Sequence, residues 1–353
     1  MTTHPMLDLS LWGDATPDET LVIADGRSAT IGVRDGCLVI TDGPRNERKR
    51  TFVKSKGARA MRHLMILAEH GYVSLEGFRW LQDNGVTWVM VDQSGYVVRD
   101  HAIARTLGTS AGYVDPMLER RQAMCYAGMP MEEKGVAIVR QFLNSKLNGQ
   151  AWVAEHKLDN KPAAKYIRDR ITDAEFATTV KTLGSIEGAA AAEYWAAWKG
   201  LAPQWRKPAP LKPHWLNYPG RASLSYVHEN NRNAADPVNA MLNYGYQILE
   251  TECTLALYKV SLSPTMGISH LDLADRRRRN AMSLDLMEGT RPVVDEVVLG
   301  MLAEPIDKRL FSENAQGVVT LEAPLTHKLA ARIHERAYRV MVDVNNMLGI
   351  LTA

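Results

Sequence analysis

The sequence is poor in cysteine and has no long hydrophobic run, and both absences restrict the class of protein. Only three of its 353 residues are cysteines. They lie far apart and lack metal-ligand spacing, which disfavours a disulfide framework and a thiolate zinc site. No stretch approaches the roughly eighteen apolar residues of a membrane span, and the N-terminus lacks a basic region followed by an apolar run. We therefore expect a cytoplasmic protein without a membrane anchor.

The chain also lacks a strong excess of one charge. Its 42 Lys and Arg and 40 Asp and Glu leave a formal net charge of +2, which neither favours nor excludes a polyanionic partner. Residues 196–232, however, contain six basic residues and one acid, with tryptophan and tyrosine between them. Cations neutralise phosphates and aromatic rings stack on bases, so this stretch favours nucleic acid, with Arg221 and Arg232 as candidate contacts. The alternative is a solvated, proline-rich connector.

The order of sequence patterns predicts an α+β protein with two domains. Residues 20–42 are typical of a β meander with turns at Asp25-Gly26 and Asp35-Gly36, and helices are predicted over 57–70 and 74–85. From about residue 115 long helical patterns dominate. We therefore predict a small N-terminal β-rich scaffold domain, residues 1–108, followed by a larger all-α domain, residues 109–353.

The segment SIEGAAAAEYW places an acid where a helix is expected to be apolar. The helix is predicted to open with a capping box at Thr172 and Glu175, and its spacing puts Glu187 on the apolar face. A buried carboxylate needs a proton, a basic partner or a bound cation. Gly184 and Gly188 are expected to let another backbone approach this surface. The alternatives are an intrahelical salt bridge at Glu187 or an apolar stripe that turns outward at this residue.

A second group of polar residues follows in the segment SPTMGISHLDLADRRRRNAMSLDLMEGTRP. Asp285 and Glu288 are three residues apart, and like charges at this helical spacing repel unless a cation is near. Pro292 is expected to weaken or bend the helix just beyond them. With His270 they form a donor set suited to Mg²⁺ or Mn²⁺. The alternative is a loop histidine bonded to backbone and a solvated helix face.

Four segments together resemble the CRISPR adaptation integrase family, CRISPR-associated protein one: SIEGAAAAEYW, DPVNAMLNYGYQIL, LSPTMGISHLD and SLDLMEGTRPVVD. The segments FLNSKLNGQ and NGVTWVMVDQSGYVV add supporting matches. The resemblance is strong from about residue 180 to 300 and weak over the first 70 residues.

The resemblance implies that residues 1–108 serve in dimerisation and that residues 109–353 form the catalytic domain, with a site that binds Mg²⁺ or Mn²⁺. Its metal ligands would be Glu187, His270 and Glu288, with Asp285 as an accompanying catalytic acid. The arginine run 276–279 forms an apparent insertion, which we expect to be a basic loop at the mouth of the site. The predicted DNA contacts are the arginines of the two basic segments and two residues that match positions of the family pattern. They are Arg221, Arg232, Arg276, Arg277, Arg278, Arg279, Tyr194 and Asn239.

The resemblance also implies an activity and partners. The 3'-hydroxyl of a short double-stranded DNA would attack a phosphodiester of the CRISPR repeat in a metal-assisted transesterification. We expect a homodimer that acts with CRISPR-associated protein two and does not use a membrane. Three alternatives stay open: a homologous integrase of a mobile element or one that stands alone, a structure-selective nuclease for branched DNA, and a DNA-binding scaffold whose acids are surface charges.

Overall fold

The computed structural model describes residues 21–26, 28–43, 48–52, 61–68, 70–90, 114–206, 210–221, 234–270, 280–315, 317–322 and 324–353. Its first part is rich in strands and the remainder is largely helical, which confirms the predicted fold class. The predicted domain boundary near residue 108 lies outside the described residues. The elements of the first part are β1 (Leu21–Ala24), β2 (Ser28–Arg34), β3 (Cys37–Asp42), β4 (Arg48–Phe52), β5 (His63–Ile66), β6 (His70–Val73), α1 (Leu75–Asp83) and β7 (Thr87–Met90).

The strands of this first part form two sheets. One sheet has the order β1-β5-β7 with parallel pairs, and the other has the order β4-β3-β2-β6. The predicted hairpin at Asp35-Gly36 is confirmed, because β2 and β3 are antiparallel and both turn residues have positive φ, 53° and 75°. The predicted hairpin at Asp25-Gly26 is wrong. Since β1 pairs with β5 and not with β2, that turn carries the chain from one sheet to the other.

The helix predicted over 57–70 is also wrong in its described part, which contains β5 and the start of β6. Its apolar run is short and buried between two parallel neighbours, and periodicity alone does not separate such a strand from a buried helix. The next predicted helix is confirmed as α1, where the Ser74 hydroxyl accepts a hydrogen bond from the Gly77 N–H at 3.0 Å. The segments TWVMVD and YVV are also typical of strands; the first contains β7, which confirms it, and the second lies outside the described residues.

The helical part contains the following elements: α2 (Pro116–Met124), α3 (Glu132–His156), α4 (Lys161–Glu175), α5 (Val180–Ala196), α6 (Pro237–Lys259), α7 (Ala281–Leu302), α8 (Leu325–His334) and α9 (Tyr338–Thr352). A short antiparallel hairpin, β8 (Phe311–Glu313) and β9 (Val319–Leu321), is inserted in this part, which was predicted to be all-α. Across the described ranges, no helix is long and apolar enough to cross a membrane.

One local prediction about the helices is wrong. The proposed capping box lies in the last turn of α4, because α5 begins only at Val180, where the Thr179 hydroxyl accepts from the Thr182 N–H at 3.1 Å. Helix α7 continues through Pro292 to Leu302, since proline removes a single N–H donor. The expected weakening or bend at Pro292 stays a prediction.

Helices α3, α6 and α7 form the centre of the core. Helix α3 packs against α4, α5 and α7, while α6 packs against α7 and α8. Ile23 of β1 and Met65 of β5 belong to the same hydrophobic cluster as these helices, so the parallel sheet shares the helical core. Because α3, α5 and α7 meet, polar residues on their facing surfaces come together from distant parts of the chain.

Candidate active site

A buried lysine joins three helices of the core. Lys146 of α3 is 3% exposed. Its ammonium donates to Oε2 of Glu288 on α7 at 2.6 Å and also to Oε1 of Glu187 on α5. Two carboxylates from separate helices therefore converge on a single cation.

The sequence places each of these residues on a core-facing surface. Lys146 lies on the buried side of α3 between Phe142 and Gln150, one helical turn away in either direction. Glu187 is at the edge of the core, with 34% of its side chain exposed. The expected close approach of another segment at Gly184 and Gly188 is not seen among the described residues, since none of their atoms beyond the glycine's own stretch of helix lies within 4 Å of a Cβ added at either position. These glycines leave open space beside Glu187.

The three charged residues line an open cleft of about 360 Å³, part of which is continuous with solvent. Phe142 and Leu183 contribute an apolar wall, and Ser269 lies at the cleft from the loop before α7. A cleft with an apolar wall and a few convergent polar groups is the usual form of a small-ligand or reaction site.

Glu288 is held in its ionised form by positive neighbours. Burial alone raises the pKa of a carboxyl, but Arg291, Lys146 and His270 outweigh burial and hold the pKa of Glu288 at about 2. The Arg291 Nη1 atom lies 3.1 Å from Oε1 of Glu288. Burial lowers the pKa of Arg291 itself, yet the nearby carboxylate more than reverses this, and its pKa is raised. Glu288 is therefore a carboxylate throughout the neutral pH range.

Asp285, one helical turn before Glu288, has a different set of partners. Its carboxylate accepts hydrogen bonds from the backbone N–H groups of Ile268, Ser269 and His270, and it contacts Nδ1 of His270 at 2.6 Å. Burial lowers the pKa of His270, but the Asp285 carboxylate outweighs burial and raises it. Asp285 thus anchors the loop that carries His270, and its oxygens are already used for this purpose.

The predicted ligands are brought together only in part. Glu187 and Glu288 share the Lys146 ammonium, whereas His270 is paired with Asp285. In the described ranges, no group of three or more His, Cys, Asp or Glu side chains is arranged to hold a metal ion. The two carboxylates nevertheless fit Mg²⁺ or Mn²⁺, because their oxygens already meet at one cation. With Nδ1 of His270 held by Asp285, Nε2 is the ring nitrogen suited to ligation.

The site predicted from the sequence did not include Lys146, which the structure places between Glu187 and Glu288. Its segment, FLNSKLNGQ, contributed only to the family resemblance. The signal that could have identified it was the same anomaly that identified Glu187, a charged residue on the apolar stripe of a helix. Two opposite charges in such positions on two helices predict a buried ion pair or a shared ligand site.

A second buried acid lies further along α7. Asp295 accepts hydrogen bonds from the hydroxyl of Tyr194 at 2.8 Å and from that of Tyr246. Burial raises the pKa of Asp295 to about 6, even though the two hydroxyls and Arg291 act in the opposite direction. Tyr194 is 0% exposed. Its predicted contact with DNA does not fit this position, because a side chain without exposed surface cannot touch a phosphate or a base.

Arg221, a predicted DNA contact, bridges helices α5 and α6. Its guanidinium donates to Oδ1 of Asn239 at 3.1 Å and to Oδ1 of Asn243 at 2.9 Å. It also lies 5.5 Å from the ring centroids of both Trp195 and Tyr246. These contacts fix the guanidinium against two aromatic rings close to the buried tyrosine and aspartate pair.

Asn239 is buried behind this arginine, with 3% of its surface exposed. Its amide group donates to the Gly220 carbonyl and to Asp236, and its oxygen accepts from Arg221. The predicted direct contact of Asn239 with DNA therefore does not fit, and its observed role is to orient Arg221. Five other predicted DNA contacts, Arg232 and Arg276 to Arg279, lie outside the described residues.

Comparison with known proteins places this arrangement in a family. The model of the family CRISPR associated protein Cas1 matches residues 22–335. The CRISPR-associated endonuclease Cas1 1 of Archaeoglobus fulgidus is 27% identical over 336 residues, which cover 89% of this chain and 87% of the relative.

Solved structures share the fold. A casposase bound to integration product has a TM-score of 0.61 at 20% identity, with 93% of this chain and 82% of that chain covered. A Cas6-RT-Cas1–Cas2 complex gives 0.63 at 16% identity, with 96% and 36% covered. Because the family model matches most of its length, the chain belongs to the CRISPR-associated Cas1 family.

Proposed function

We propose that this protein is a metal-dependent integrase that inserts short double-stranded DNA with 3'-hydroxyl ends into a CRISPR repeat. The observation that carries the proposal is the convergence of Glu187 and Glu288 on one cation in an open cleft. Membership of the Cas1 family supplies the class of reaction. A surface charge pair would not require two acids from separate helices to meet around a buried ammonium.

The proposed step is a transesterification without net hydrolysis. The 3'-oxygen of the incoming DNA forms a bond to a phosphorus atom of the repeat, and the bond from that phosphorus to the 3'-oxygen of the repeat strand breaks. The attacking hydroxyl loses its proton, and the leaving oxygen gains one. A divalent cation bound at the site supplies charge neutralisation at the phosphate and lowers the pKa of the attacking hydroxyl.

The side chains have separate tasks in this proposal. Glu187 and Glu288 would hold the metal together with His270, and Asp285 keeps the imidazole and its loop in place. Arg291 lies beside Glu288 and adds positive charge where a phosphate would enter. His270 has a second possible role as the acid that protonates the leaving oxygen, because the Asp285 carboxylate raises its pKa.

The test is a joining assay with the purified protein, with and without CRISPR-associated protein two. A labelled 3'-hydroxyl duplex is incubated with a supercoiled repeat plasmid and Mn²⁺, and covalent transfer of the label is measured. We expect joined product with the 3'-hydroxyl duplex and none with a matched 3'-dideoxy duplex. Glu187→Ala should abolish the product. If the wild-type protein yields none under any of these conditions, the integrase proposal fails.

A related activity is the second candidate. The structural likeness to a casposase favours an integrase of a mobile element, which would use the same side chains on a different target. Plasmids that carry the CRISPR repeat or an unrelated sequence of equal length separate the two functions. Preference for the repeat supports CRISPR adaptation, and equal use of both supports the alternative. A branched duplex in the same assay measures endonuclease activity, which the name of the Archaeoglobus relative suggests.

The proposal includes an assembly. A homodimer that acts with CRISPR-associated protein two is expected from the resemblance. The Cas6-RT-Cas1–Cas2 complex among proteins of the same fold supports the second protein as a partner. Light scattering of the purified chain, alone and with the second protein, measures both steps. A monomer that still joins DNA would remove the dimer from the proposal.

A further inference from the structure

We infer that Lys146 is an internal competitor of the metal ion for Glu187 and Glu288. Its ammonium takes the position between the two carboxylates that a divalent cation ligated by both would need. This inference rests on the proposed function, since it names a residue that regulates how the proposed site acquires its metal.

The Lys146 ammonium and a metal ion bound by Glu187 and Glu288 would need the same position. The Lys146 nitrogen lies 2.6 Å from Oε2 of Glu288 and also contacts Oε1 of Glu187. A Mg²⁺ ion bound by the same two oxygens would lie about 2.1 Å from each. The ammonium and the ion would therefore overlap. Binding of the metal requires the ammonium to leave, so the two cations exchange at one position.

The positive charge of Lys146 also affects how the two carboxylates interact. Two carboxylates that face one another repel, and the Lys146 ammonium offsets this repulsion before the metal enters. Glu288 keeps a second cation, Arg291, when the lysine leaves, but Glu187 has Lys146 as its ion-pair partner within the described residues. The lysine therefore stabilises the pair of acids and, for the same reason, weakens their affinity for metal.

The side chain of Lys146 is flexible and lies at the cleft, so a metal ion could displace its ammonium. Lys146 ends in a flexible four-carbon stem and lines the open cleft. Because the stem has four rotatable bonds, we expect the ammonium to reach the part of the cleft that is continuous with solvent without a change in helix α3. An arginine at this place would be bulkier and planar, whereas a lysine is a compact cation that a metal ion can displace.

The experiment measures Mn²⁺ binding to the full chain without DNA, by electron paramagnetic resonance of the remaining aqueous ion. Lys146→Met removes the ammonium and keeps most of the stem. We expect the dissociation constant to fall roughly tenfold or more, since a unit charge a few Å from the ion is removed. Lys165→Met, which removes an exposed ion pair on α4, is the matched control and should leave binding unchanged. Equal or weaker binding by Lys146→Met overturns the inference.

A second variant tests whether Lys146 weakens metal binding because it occupies the position of the metal, or only because it is a nearby positive charge. Of the two carboxylates, Arg291 forms an ion pair with Glu288 and, within the described residues, none with Glu187, so Arg291→Met should strengthen Mn²⁺ binding less than Lys146→Met does. Equal effects of the two variants would contradict the shared position. Thermal unfolding gives a readout independent of activity: with a chelator Lys146→Met should melt below the wild type, and Mn²⁺ should raise its melting temperature by more. Lys146→Gln serves in the same measurements if the methionine variant does not fold.

The two proposals fail in different ways. Tighter Mn²⁺ binding by Lys146→Met in a protein that joins no DNA would contradict the integrase and support the role of Lys146. Joining activity in the wild type without tighter binding in the variant would support the integrase and contradict the role of Lys146.

Discussion

Helix α7 carries Glu288, whose side chain is 13% exposed, and the fully buried Asp295 two turns further along on the same face, and their environments shift the pKa values of the two carboxyls in opposite directions. The pKa of Glu288 is held at about 2, while that of Asp295 is raised to about 6. Burial raises the pKa at both positions. The difference comes from the neighbours, which are cations around Glu288 and tyrosine hydroxyls around Asp295. A permanently ionised acid is suited to hold a metal, whereas an acid that readily takes up a proton is suited to a structural network.

Arg291 connects the two regions. Its guanidinium contacts Glu288 and lies 4.9 Å from the ring centroid of Tyr246, whose hydroxyl donates to Asp295. The same arginine therefore favours the ionised form of both acids, but it lies in direct contact with Glu288 alone. The distance from a cation decides which acid stays charged.

The strongest test of the comparison is to remove the charge of Glu288. Glu288→Gln keeps the shape of the side chain but leaves Lys146 and Arg291 without their shared carboxylate. We expect DNA joining with Mn²⁺ to fall on the order of 10³-fold, as when a directly acting group is lost. Circular dichroism melting checks that the variant is folded. More than about a tenth of wild-type joining would show that Glu288 does not hold the metal.

The second test concerns the anchored loop. Asp285→Asn replaces one carboxylate oxygen by an amide donor, which cannot accept from the backbone N–H groups of the His270 loop. We expect joining to fall about 10- to 100-fold, the usual effect of losing the group that orients a metal ligand.

A positioning role for Asp285 has its own signature. Nuclear magnetic resonance titration of His270 should show a lower imidazole pKa in Asp285→Asn, because the carboxylate that raises it is gone. Ser145→Ala, a small change at a hydroxyl on α3 that bonds Asp343, is a control for general loosening of the core. A lower rate with an unchanged His270 pKa would place Asp285 among the ligands.

The residues predicted from the sequence are those whose patterns are local, whereas features that depend on contacts between distant segments were missed. Glu187, His270, Asp285 and Glu288 are predicted from local motifs, and the structure places Glu187, Asp285 and Glu288 at the cleft and His270 against Asp285. Their catalytic and metal-binding roles stay predictions. Lys146 was missed because its two partners, Glu187 and Glu288, come from two other helices. The meander at Asp25-Gly26 failed for a similar reason, since the partner of β1 is β5, about 40 residues later. A pattern shows which face of an element is buried, but not which element covers it.

The third test addresses the other end of α7 through pH. The pKa of Asp295 is raised from 3.8 to about 6, so the folded protein binds this proton more tightly than the unfolded chain. Its contribution to stability is fully present below pH 3.8 and is lost as the pH rises through 6. By pH 7 the loss is at most about 3 kcal/mol in the free energy of unfolding. Asp295→Asn should remove this dependence.

Urea unfolding at pH 4, 5, 6 and 7 measures the effect. As the pH rises, the wild type should lose free energy of unfolding relative to Asp295→Asn. The joining activity of the variant should stay within a few-fold of that of the wild type. Parallel curves for the two proteins would contradict the raised pKa. A loss of joining as large as that of Glu288→Gln would remove the functional distinction between the two acids.

The smallest effect is expected from Tyr194→Phe, which removes one hydroxyl donor from Asp295 and leaves the ring in the core. The loss of a buried hydrogen bond should lower the free energy of unfolding by about 1 kcal/mol. Affinity for duplex DNA should not change, because Tyr194 has no exposed surface. Fluorescence anisotropy with a labelled duplex, alongside urea unfolding, measures both quantities. A drop in DNA affinity at unchanged stability would restore Tyr194 as a DNA contact and would mean that this end of α7 opens when DNA binds.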